Sequence, residues 1–231
     1  MNRRHKRRVS PAFFNNLSVT LWLIIINVLF FLVVVLTGFF TPDKIKYIAL
    51  SPELTLQGKY LWTLVTSMFM HGGIAHLLIN MFVLFSLGGL CEKIIGRRRF
   101  LAFYLISGIV AGLLFVVLAG AFGGVDLGAR IFGSIDSSAV GASGAIFAIA
   151  GLFVVLLPKI RFMIIFLPFF SLPGYVMVPL VLIVTWVASA ASGFPIGNTA
   201  HLGGFLAGLV YGAYLRKRYR KKVLMLSKMF R

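Results

Sequence analysis

Six apolar stretches, each near the length of helix that crosses a bilayer, leave this chain few possible folds. A hydrocarbon core of about 30 Å takes about 20 apolar residues of helix. Stretches of this kind cover residues 18–40, 73–90, 100–122, 141–157, 175–191 and 200–215. The 231 residues are 60% hydrophobic and 12% charged, too few polar side chains to coat a water-facing globule. The expected fold is all-α: a polytopic membrane protein with a six-transmembrane-helix bundle over 18–215, a basic segment at 1–17 and a basic tail at 216–231. The first stretch follows a basic head, as in a signal peptide. It is too long for one, and no small-residue cleavage site follows, so it reads as a retained helix.

Charge placement orients the bundle. Residues 1–17 carry five Lys or Arg, the link at 91–99 four, the link after the fourth stretch two, and the tail from Arg216 eight. The remaining four (Lys44, Lys46, Lys59, Arg130) share the opposite face with four of the five acids. Lys and Arg mark the cytoplasmic side, so both termini are expected there, in a multi-pass protein of the cell membrane. Residues 162–194 are apolar enough for another span, but that would carry the basic tail outside. Pro168, Pro173 and Pro179 also break the run, so its first part is expected to be an interfacial loop. The net charge of +18 then reflects topology and contact with anionic lipid, with no nucleic-acid partner. A single cysteine, Cys91, excludes an intramolecular disulfide.

The rare polar groups of the spans fall at one depth. At 1.5 Å per residue, Ser143 and His201 each lie about 22 Å above the inner boundary, and Asn80 and His76 about 20 and 26 Å above it. Three helices thus deliver polar groups to one layer, roughly 8 Å beneath the outer surface. Gly144, Ala148 and Gly151 form a small-residue face on the fourth span, and His201, Gly204 and Gly208 share a face of the sixth. Such faces let helices approach closely in lipid. Each polar residue alone has a bland reading, a Ser bonded to its own helix or a packed His. As a set they mark function.

A Ser hydroxyl becomes nucleophilic when a neutral His takes its proton. Ser143 begins a helix, where backbone N–H groups are unpaired; these, the Asn80 amide and His76 can hold an oxyanion. The spans hold no Asp or Glu except Glu92, at the inner end of the second. The chemistry is therefore that of a Ser143–His201 dyad without a carboxylate. An aspartyl protease lacks its two carboxylates here, and a zinc protease lacks its H-E-x-x-H helix. A zinc site from His71, His76 and His201 ranks below the dyad, and no metal or cofactor is expected.

These residues resemble the rhomboid intramembrane serine proteases. The likeness runs from about Trp62 to Tyr214. It rests on WTLVTSMFMHGGIAHLLINMF from Trp62, GxxxExxxGRR around Glu92, GASG at 141–144 and AHLGGFLAG at 200–208. It implies a six-helix bundle that cleaves membrane-anchored substrates, with Ser143 as nucleophile, His201 as base, and His76, Asn80 and the backbone from Gly141 to Ser143 as the oxyanion site. Two positions depart from the family pattern. Phe147 stands where many bacterial relatives have a Tyr stacked on the histidine, keeping the ring and losing its hydroxyl. Thr63 stands where some have Arg after the loop Trp, an expected change in loop anchoring. Glu92 is expected to tie the second span to its loop, His71 to pack the first outer loop, and Tyr60 and Trp62 to anchor that loop at the interface. Substrates are expected to enter sideways past the Pro-rich stretch before the fifth span. The alternative is an inactive rhomboid-like protein that binds transmembrane helices.

Overall fold

The computed structural model describes residues 17–164, 167–193 and 197–230. Most of the basic segment 1–17 lies outside them, as does Arg231. Seven helices organise the chain: α1 (Val19–Leu36), α2 (Ile74–Ile95), α3 (Arg97–Phe122), α4 (Ser143–Leu156), α5 (Gly174–Ser192), α6 (Asn198–Arg218) and α7 (Arg220–Met229). Four of them, α1, α2, α3 and α5, are long and apolar enough to cross a membrane. The protein is a largely helical, multi-pass membrane protein.

The two helices that carry Ser143 and His201 differ from those four, and the reason is where they sit. Helix α4 has only 14 residues, ten of them buried, so it meets protein on nearly every side. Helix α6 gives its apolar character over to glycine. A Cβ on Gly204 would lie 1.9 Å from the Gly144 carbonyl oxygen, and one on Gly208 would lie 2.0 Å from that of Ala148. Only hydrogen fits at either position, and the α4 and α6 backbones touch along this seam.

Three sequence expectations are corrected. The fold is not purely helical: in place of the expected interfacial loop, β1 (Arg161–Ile164) and β2 (Leu167–Pro173) pair as antiparallel strands. Pro173 closes β2 and Pro179 lies inside α5, where it interrupts no more than its own turn. The hairpin follows the C-terminal end of α4, about 20 Å of helix rise from Ser143. The helix boundary also moves: α6 runs through position 216 to Arg218, and the tail continues as α7.

Glu92 does more than tie α2 to its loop. Its carboxylate accepts hydrogen bonds from the Val19 and Thr20 N–H groups and the Thr20 hydroxyl, all at 2.8 Å, and so caps the start of α1. Arg97 joins from 3.7 Å while donating to the Leu17 carbonyl. An anion at a helix N-terminus meets unpaired donors and the positive end of the dipole. Replacing Glu92 by Gln is expected to cost about 2 kcal/mol, because a buried charged acceptor of three bonds becomes a neutral one. Arg97→Gln is expected to cost less than half of that, since the guanidinium is half exposed. Thermal denaturation in one detergent compares the two; a larger cost at Arg97 would make the ion pair, not the cap, the joint.

The 37-residue link between α1 and α2 folds back on α3 and α4. Leu50 exchanges backbone bonds with Ala139, and the Gly141 N–H donates to the Ser67 carbonyl at 2.9 Å. Thr63 is buried, and its hydroxyl donates to the Tyr60 carbonyl beside that residue's left-handed backbone. Trp62 is exposed; its indole N–H donates to the Tyr47 carbonyl, and Tyr60 meets both rings edge to face.

Candidate active site

The α4 and α6 seam brings Ser143 and His201 together. Ser143 is the first residue of α4, His201 lies in the first turn of α6, and Gly144 against Gly204 sets the spacing between them. The Ser143 Oγ is 2.8 Å from His201 Nε2. Phe147, one turn below the serine, stacks on the imidazole with centroids 4.5 Å apart and planes at 25°. The ring of the missing tyrosine is thus replaced in kind. The other nitrogen, Nδ1, is buried and, among the described residues, has no hydrogen-bond partner, carboxylate or other.

His76 reaches the same place from α2, beside Gly141, and Asn80 lies on the same face of that helix at i+4. Asn80 is buried, and its amide nitrogen has no hydrogen-bond partner among the described residues. His76 Nδ1 accepts the Gly72 N–H at 3.4 Å, which leaves the proton on Nε2. That Nε2 faces Gly141: a Cβ built there would lie 3.0 Å from it and 3.5 Å from Ser143 Oγ. A small hollow is therefore bounded by the His76 edge, the Gly141 backbone and the serine oxygen. Gly141 takes φ +129°, which side-chain-bearing residues rarely adopt. Its contribution to the hollow is room, since its own N–H is engaged by Ser67.

His71 is fully buried and meets His76 edge to face at 5.1 Å. Burial, and then the neighbouring His76, push its pKa down to about 4, so at neutral pH it packs as an uncharged ring. Among the described residues, no group of three or more His, Cys, Asp or Glu side chains comes together as a metal-ligand set. Cys91 is buried and free. Sequence reasoning missed Gly72 and Ser67, which orient His76 and Gly141. The Gly72-Gly73 pair before α2 was a turn signal for the first; nothing marked the second.

The Rhomboid domain matches residues 58–218, more than half of the chain. The chain belongs to the rhomboid family. Relatives include Rhomboid protease GluP of Bacillus subtilis, 28% identical over 93% of this chain and 38% of its own length. Rhomboid protein 1, mitochondrial, of Saccharomyces cerevisiae is 32% identical over 69% of this chain and 43% of its own. Rhomboid protease GlpG of Haemophilus influenzae is 26% identical over 79% of this chain and 83% of its own. The chain thus spans less than half the length of the first two. The rhomboid family includes serine proteases, and the chain shares their domain.

Proposed function

We propose that this rhomboid is an intramembrane serine endopeptidase that cleaves transmembrane or membrane-anchored proteins near the outer face of the cell membrane. One observation carries the reading: a serine hydroxyl 2.8 Å from an imidazole nitrogen, at the start of a buried helix and beside unpaired donors. His201 Nε2 takes the hydroxyl proton as Ser143 Oγ attacks the scissile carbonyl. The tetrahedral oxyanion settles in the hollow, where Asn80 Nδ2, His76 Nε2–H and the Ser143 N–H donate to it. His201 then delivers the proton to the leaving amine, and water repeats the sequence on the acyl-enzyme. Phe147 keeps the imidazole facing the serine where another protease would use a carboxylate.

Six crossings with both termini in the cytoplasm fit the charge distribution. This reading makes α4 and α6 two of the spans, with the dyad toward the outer side and the hairpin at the inner end. A substrate helix hides its carbonyls in its own hydrogen bonds, so a segment must unwind before attack. It enters laterally, between α2 and α5. Retention of both serine and histidine weighs against the alternative of an inactive helix-binding relative. Two expected outcomes test the function in liposomes with a single-span substrate. Mass spectrometry places the cut near the outer end of the span, and Leu substitutions that stiffen the helix below the cut slow it. A cut at the cytoplasmic end would overturn the orientation, and no cleavage of any spanning substrate would favour the alternative.

Asn80→Ala is expected to lower turnover by about 10²-fold with little change in the Michaelis constant, because its amide meets charge present only in the transition state. Steady-state kinetics decide it. A raised Michaelis constant with unchanged turnover would make Asn80 a substrate-binding residue.

A further inference from the structure

On the side of α6 away from α4, the structure holds a groove with no role in this chemistry. It is a cleft of about 240 Å³ between α3 and α6, lined by Ala102, Phe103, Ile106, Val110 and Ala207, with Arg99 at one end. Its shape follows from the sequence. At its upper end Gly203 lies against α3, where an added Cβ would sit 3.0 Å from the Ala111 Cα, so the two helices touch. Below that point the Phe103 and Tyr211 rings, stacked at 4.8 Å, prop the helices apart and floor the cleft. Ile106 and Val110 remain exposed along its wall.

Length and charge identify the occupant. From Val110 to Arg99 the groove follows about 16 Å of helix rise, close to half of a hydrocarbon core of about 30 Å. That is the depth of one leaflet, and the cation sits where that leaflet meets its headgroups. Arg99 is exposed, lies 5.7 Å over the Tyr219 ring, and is met by no carboxylate among the described residues. The Tyr219 contact also brings the α6–α7 elbow to this end of the groove, with exposed Arg216, Lys217, Arg218 and Arg220 around it. The one acid of this end, Glu92, is committed to the cap on α1. A guanidinium at the foot of an apolar slot between membrane helices matches a phosphate carrying an acyl chain.

We propose that the α3–α6 groove is a binding site for an anionic phospholipid, with one acyl chain against Phe103, Ile106 and Ala207 and the headgroup phosphate on Arg99. The test uses the full-length protein in phosphatidylcholine vesicles containing a phosphatidylglycerol with a diazirine in its acyl chain. Photolysis is expected to label residues 102–110 or 207–211, with unlabelled phosphatidylglycerol competing at least five times better than phosphatidylcholine. Arg99→Gln, at an exposed position, is expected to remove that preference, and Ala207→Phe to remove groove labelling by filling the slot. Equal competition by the two lipids, or a preference that survives Arg99→Gln, would overturn the proposal. So would a crosslink from Ile106 to a second copy that excludes the label, which would make the groove a dimer contact.

Discussion

Ser143→Ala is expected to eliminate cleavage, with turnover falling on the order of 10⁴-fold or more, because it removes the hydroxyl that is hydrogen-bonded to His201. The variant loses one oxygen atom from a half-buried position, so its thermal denaturation should match that of the parent. His201→Ala is expected to be equally inactive, and the double variant no worse than either single one, since proton transfer and attack form one unit. Activity retained by the serine variant would remove Ser143 from the chemistry. Costs that add in the double variant would mean that the two residues act separately. Assays on one reconstituted substrate, normalised to folded protein, distinguish these outcomes.

The second large effect concerns the seam that makes the dyad possible. Gly204→Val is expected to destabilise the protein by more than about 3 kcal/mol, above the usual range for an overpacked core. The obstacle at Gly204 is backbone, the Gly144 carbonyl at 1.9 Å, so no side chain can rotate aside and α4 must move. Ser143 sits next to Gly144, so activity should fall along with stability. Gly89→Ala makes the contrast: nothing lies within 4 Å of the added carbon, and a helical glycine gains about 1 kcal/mol on becoming alanine. Melting temperatures and cleavage rates of the two variants suffice. If Gly204→Val kept both, the close approach of α4 and α6 would not be what aligns the site.

Much of the site could be read from the sequence because membrane helices constrain depth. Ser143, His201, Asn80 and His76 stand out as polar groups in apolar runs, and the rise per residue puts them in one layer before any contact is known. The glycine spacing on the fourth and sixth spans likewise foretold which helices touch. What stayed hidden depends on pairing between distant segments, which leaves no periodic trace. Glu92 reaches back over 70 residues to cap α1, and Ser67 takes the Gly141 N–H. The β1–β2 pairing was hidden for a different reason. Its apolar residues and prolines are equally compatible with a broken span, and only the cross-strand partners decide. Helices α4 and α6 were also easier to recognise by their chemistry than by hydropathy, because α4 is short and α6 is rich in glycine.

The central claim, an activated serine at the head of α4, is tested most directly by covalent capture. The full-length protein, treated with a fluorophosphonate in detergent and digested, is expected to yield a single adduct on Ser143. His201→Ala should prevent the adduct, and chelators should leave it unchanged. An adduct on Ser137 or Ser138, or labelling of Ser143 that persists without His201, would contradict the dyad.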